Sequence, residues 1–85
     1  MAKTIRSEGH EALRRALIKA RRMAGLSQAE LAARLHAQQS LVARIESGQR
    51  RVDVVELVVL ARALRVEAAA LLAVAEAATE AGHRI

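Results

Sequence analysis

The 85-residue chain has no cysteine, no proline and no aromatic side chain, which allows one small domain and excludes a disulfide framework or a thiolate metal site. No apolar run reaches the roughly 18–20 residues of a membrane span, and MAKTIRSEGHEAL lacks the continuous apolar stretch of a secretory signal, so a cytoplasmic protein is expected. The formal charge of +5 is uneven: residues 1–51 hold eleven Lys/Arg and four Asp/Glu, and residues 52–85 hold three and five. A basic half beside a near-neutral half suggests a surface for a polyanion and another partner for the remainder, although solvated charge on helices would look similar.

Abundant alanine, leucine and arginine predict an all-α chain of five helices. The first is expected from about Glu8 to Ala24, with Leu13, Ala16, Leu17, Ala20 and Ala24 at the 3.6-residue period, Ser7 as N-cap and Gly25 as left-handed C-terminal cap. The second opens at Ser27, whose partner Glu30 completes a capping box, and ends near Leu35 with Leu31, Ala32 and Leu35 inward. The third runs from about Gln39 to Ser47, with Val42 and Ile45 inward and Gly48 closing it. The fourth follows Asp53, paired with Glu56 in a second capping box, and continues to about Leu64. The fifth extends from about Glu67 to Thr79 or Glu80 and is stopped by Gly82. Residues 1–6 and 82–85 are expected to fray.

Two short helices joined by a turn of three to four residues form a helix-turn-helix unit, here residues 28–47. Such helices cross closely and need a small inner residue, supplied by Ala32. The second helix anchors through branched apolar side chains, supplied by Val42 and Ile45.

GLSQAELA at 25–32, QSLVARIESG at 39–48 and LARAL at 60–64 followed by Val66 resemble the lambda-repressor/Cro-like (Xre-type) helix-turn-helix family over roughly residues 13–72. The resemblance implies a five-helix lambda-repressor-like DNA-binding domain spanning residues 1–85, with a core of about 8–80 and an extended C-terminal helix. It implies that Gln28 clamps a phosphate at a helix N-terminus. It makes residues 39–47 the recognition helix, with Gln39, Ser40, Ala43 and Arg44 toward base edges. SGQRR resembles a second phosphate clamp, giving that role to Ser47, Gln49, Arg50 and Arg51. Arg21 and Glu46 match an ion pair between the first and third helices, read as structural. Two positions depart from the family pattern: His36 stands where glycine is usual in the turn, and Ala37 where a larger apolar residue is usual. Gln28 and Gln39 could also be plain helix-start residues, and Arg44, Arg50 and Arg51 solvated charge. Arg14, Arg15, Lys19 and Arg22 read as general positive field.

The fourth helix carries more apolar residues than one core face needs. By the register of the family it resembles, Val54, Leu57, Leu60, Ala61 and Leu64 are its core positions, while Val52, Val55 and Val59 make a second stripe, with Val58 apolar as well. An apolar face left over in so small a chain marks an interaction surface. Leu71, Leu72 and Val74 of the fifth helix could extend it. A homodimer with Val52, Val55, Val59 and Leu72 at its interface is expected, although these valines could instead thicken the core.

The function expected is a dimeric, sequence-specific transcriptional regulator, a repressor, on an inverted-repeat operator in double-stranded DNA. The alternative is a protein-binding module on the same fold, an antitoxin or antiactivator working through the valine face and the fifth helix. His10, His36 and His83 lack ligand spacing and read as surface or turn residues. No nucleophile–base pair or phosphate loop is present, so no enzyme, metal or cofactor is expected.

Overall fold

Three of the five helices among the described residues start on a capping side chain, Ser7, Ser27 or Asp53. The computed structural model describes residues 7–85, in which the helices are α1 (Glu8–Met23), α2 (Gln28–Arg34), α3 (Gln39–Glu46), α4 (Val54–Leu64) and α5 (Ala68–Ala78), with no strand among the described residues. The Ser7 side chain accepts from the His10 N–H, relieving one of the unpaired donors of α1. Both capping boxes form. Ser27 Oγ accepts from Glu30 N–H and Glu30 from Ser27 N–H; Asp53 and Glu56 do the same at α4.

Helix ends share one device. After α1, α2, α3 and α4 the chain passes through a left-handed residue, Gly25, His36, Gly48 and Arg65 respectively. At each, two N–H groups fold back on the last turn: Leu26 on the Arg21 carbonyl, Ala37 on Ala32, Gln49 on Arg44 and Val66 on Ala61. This six-to-one closure satisfies carbonyls that a bare helix end would strand. Glycine serves the turn twice without a Cβ penalty; histidine and arginine serve it with one.

The core draws on every helix: Leu13 and Leu17 of α1, Leu31 and Ala32 of α2, Val42 and Ile45 of α3, Leu57, Leu60, Ala61 and Leu64 of α4, and Leu71 of α5. Each large side chain buried here contributes roughly 1.5–3 kcal/mol relative to exposure. The long helix α1 lies against α5, α2 packs on α3, and α1 also touches α3. Gly9 leaves room for the end of α5 against α1: a Cβ there would overlap the Thr79 hydroxyl and stand 3.2 Å from the Ala75 carbonyl oxygen.

Several expectations need correction. Val54 is not core but 78% exposed; at 100° per residue it lies about 70° from the centre of the buried α4 stripe. Ala24 is exposed, since it caps α1 rather than extending its buried face. Leu35 is only half-buried, as the residue closing α2. Helix α5 ends at Ala78, because Thr79 turns to an extended conformation before Gly82 is reached. Leu71 is 5% exposed and belongs to this chain's own core, so it cannot cover a partner helix. The fraying expected of residues 1–6 lies outside the described residues.

Candidate nucleic-acid interface

The centre of the helix-turn-helix is organised by one buried ion pair. Arg21 Nε and Nη2 donate to Glu46 Oε2 and Oε1 at 2.6 and 3.0 Å, and Arg21 Nη1 donates to the Leu26 carbonyl at 2.8 Å. Both side chains are almost completely covered. The hydrogen bonds to Glu46 push the Arg21 pKa up, against the opposing effect of burial. Such a pair is worth little net stability over an apolar one, but it holds α1 and α3 in one relative position.

A relay extends outward from that pair. Gln28 Nε2 donates to Glu46 Oε1 at 2.9 Å, and Gln39 Nε2 donates to Gln28 Oε1 at 2.6 Å. The carboxylate can only accept, so the Gln28 amide must turn its nitrogen inward and its oxygen toward Gln39. Gln39 therefore gives one N–H to the relay and keeps its oxygen and second N–H at the exposed start of α3. An acceptor and a donor side by side are what an adenine edge requires. The first turn of α2 and the first turn of α3 are thus joined through side chains that sequence spacing alone does not connect.

The other residues singled out by sequence fall into distinct settings. Ser40 and Arg44 are exposed on α3, and Ala43 is half-covered between them. Arg44 has no ion-pair partner among the described residues. Ser47 Oγ donates to the Arg44 carbonyl at 3.2 Å, while Gln49 and Arg51 are exposed in the loop after α3. Arg50 forks onto Glu56, with contacts of 3.0 and 2.7 Å. That contact, with the Asp53 N–H, holds the Glu56 carboxyl below the usual carboxylate range. Arg50 is therefore tied to the capping box of α4, and a phosphate would have to compete with Glu56 for it.

Three residues that contact this region escaped sequence reading: Glu11, Arg14 and His10. Arg14 is no general field charge: its Nη1 donates to the Glu46 carbonyl at 2.6 Å, and its Nε and Nη2 to Glu11 Oε1. The i,i+3 spacing of Glu11 and Arg14 signals their pairing, but nothing in sequence signals the carbonyl. His10 is half-buried and accepts the Val52 N–H at Nε2. His36 and His83 are exposed, and no group of three His, Cys, Asp or Glu among the described residues could hold a metal.

The valine stripe divides. Val55 and Val59 are 70% and 42% exposed and line, with Leu35, Ala37 and Leu41, a cleft of about 180 Å³ edged by Arg50 and Glu56. Val52 is half-covered and packs on the core instead. Leu72 is 58% exposed, on α5.

A helix-turn-helix family model (HTH_3) matches residues 17–71. An XRE-family like protein from Pseudomonas syringae pv. tomato str. DC3000 is similar at 42% identity, over 85% of this chain and 88% of that one, with a TM-score of 0.77. The chain belongs to the Xre-type helix-turn-helix family. Xre-type proteins are DNA-binding transcription regulators, not enzymes. The clp gene regulator ClgR from C. glutamicum is similar at 26% identity, covering 85% and 92% of the two chains, TM-score 0.73. The restriction-modification controller protein C.AhdI from Aeromonas hydrophila is similar at 37% identity, covering 69% and 86%, TM-score 0.65. No match is found among the curated proteins. Among the described residues of this Xre-type chain, no helix is long and apolar enough to cross a membrane.

Proposed function

We propose that this Xre-type regulator acts in the cytoplasm as a homodimer on an inverted-repeat operator, residues 1–85 working as one helix-turn-helix unit. Helix α3 enters the major groove, with Gln39, Ser40, Ala43 and Arg44 at base edges. Gln28, Ser47, Gln49 and Arg51 contact the backbone, with Arg50 joining them only where it leaves Glu56. The observation that carries this reading is the relay from Arg21 through Glu46 and Gln28 to Gln39. It presets a hydrogen-bonding side chain at the exposed start of α3, where ordering it costs little on binding. The exposed Val55–Val59 cleft supports a two-fold interface; a dimer that reads two half-sites needs its α3 helices about 34 Å apart, one turn of DNA.

Selection of bound sequences from random duplex DNA tests this. An inverted repeat is expected, with Gln39→Ala and Arg44→Ala each relaxing a single position per half. Binding without sequence preference in all three proteins would overturn the assignment of base contacts. Retention of a partner protein with no duplex binding would favour the alternative, a protein-binding module on the valine face.

A further inference from the structure

One face of α1 holds both ends of the loop joining α3 to α4. At the near end, Arg14, itself fixed by Glu11, donates to the Glu46 carbonyl that ends α3. Gly48 lies against the same two side chains, 3.5 Å from Arg14 Cδ and 3.6 Å from Glu11 Oε2 for a Cβ placed there. At the far end, the Val52 N–H donates to His10 Nε2 at 3.3 Å. Between these anchors lie Ser47, Gln49, Arg50 and Arg51. We infer that His10 is a positioning residue for this loop, and that a proton on its Nε2 releases the loop's far end and weakens duplex binding. This rests on the DNA-binding reading above.

An imidazole that accepts at Nε2 carries its one proton on Nδ1. Here Nδ1 is buried and meets no hydrogen-bond partner among the described residues, so the ring's single polar link is the one to Val52. Protonation turns Nε2 into a donor facing a donor, and that link is lost. The charged groups around the ring are Arg51 and Arg14, which oppose a further cation, and Glu11, which favours one. Burial is the strongest influence, and the pKa lies below the ordinary 6.5. Between that lowered value and 6.5, a chain with the loop released takes up a proton that the closed form refuses. The closed form is therefore fully favoured above 6.5 and loses ground as pH falls below it.

The test follows the His10 ring and the Val52 amide together by NMR from about pH 8 to about pH 5, alongside affinity for a mixed-sequence duplex, in wild type and His10→Gln. Glutamine can offer an acceptor near Nε2 without titrating. In wild type the Val52 amide should shift and lose exchange protection with the same midpoint as the ring, below 6.5, and affinity should fall several-fold through that midpoint. In His10→Gln both profiles should be flat. A Val52 amide indifferent to the ring's titration, or identical pH profiles in the two proteins, would overturn the inference. Failure of the DNA-binding reading looks different: neither protein binds duplex at any pH, while the wild-type amide profile still decides the role of His10.

Discussion

At the scale of single residues, the relay joins what holds the protein together to what would read DNA under the proposed function. Glu46 serves both, since it neutralises Arg21 and orients Gln28. Glu46→Gln should destabilise by roughly 3–5 kcal/mol, because it leaves a buried guanidinium uncompensated. Gln28→Ala should cost only about 1 kcal/mol of stability, yet it frees the Gln39 amide to rotate. Gln39→Ala should lose about 1–3 kcal/mol of discrimination at one base pair per half-site. Urea unfolding measures the stabilities; anisotropy titrations on the selected operator and its single-base variants measure the discrimination. Equal discrimination in wild type and Gln39→Ala would remove Gln39 from base reading. The positions of these residues were legible in sequence because each glutamine stands at the start of a short helix with a plain apolar period, opened at α2 by a capping box and closed after α3 by Gly48. Their connection was not legible, because a bond between residues 28 and 39 depends on the angle at which α2 crosses α3. The Arg14 bond to the Glu46 carbonyl was hidden for a related reason: a backbone oxygen has no sequence signature.

Among elements, starts were easier to read than ends. Ser27 with Glu30 and Asp53 with Glu56 announce α2 and α4 by side-chain chemistry that completes itself within one turn. Ends rely on a backbone conformation that glycine advertises and other residues do not; Gly25 and Gly48 were visible, and Arg65 was silent. Arg65 and His36 sit at φ of 60° and 56°, a strain of about 1–2 kcal/mol for a residue with a Cβ. Arg65→Gly and His36→Gly should each raise stability, by up to about 1 kcal/mol after the greater freedom of glycine in the unfolded chain is subtracted. Paired thermal melts measure this, and a lowered melting point in both would show that the turns carry no such strain. The α1–α5 contact makes the opposite case. Alanine is the better helix former by about 1 kcal/mol, yet Gly9→Ala should destabilise by a similar net amount, because its Cβ meets Thr79. In a Thr79→Ala background the overlap is gone, and Gly9→Ala should become neutral or stabilising. A penalty unchanged by Thr79→Ala would place the conflict at the Ala75 carbonyl instead.

On the scale of the whole molecule, the apolar excess of α4 was legible as a pattern, but its geometry was not. Three valines spaced at i, i+3 and i+7 look equivalent in sequence, whereas the fold buries part of Val52 beside α1 and leaves Val55 and Val59 outside with Leu35 and Leu41. That difference selects the substitutions that should break a homodimer without unfolding the chain. Val55→Glu with Val59→Glu adds carboxylates beside Glu56, at positions already in contact with water, so the isolated fold should persist. Two copies could not then bury four extra charges together. Light scattering should report a dimer for wild type and a monomer for the double variant, while Leu72→Glu asks separately whether α5 joins the seam. DNA binding offers an independent reading. Each phosphate neutralised releases counterions, and log K falls against log salt with a slope near −0.9 per contact. A two-fold complex makes each contact twice. Uncoupled halves should therefore bind with about half the wild-type slope, and lose roughly 10²–10⁴ in affinity for the full operator as the second half-site ceases to be tethered. An unchanged slope and affinity in a variant shown to be monomeric would mean that one copy makes all the contacts and that the cleft faces something other than its twin.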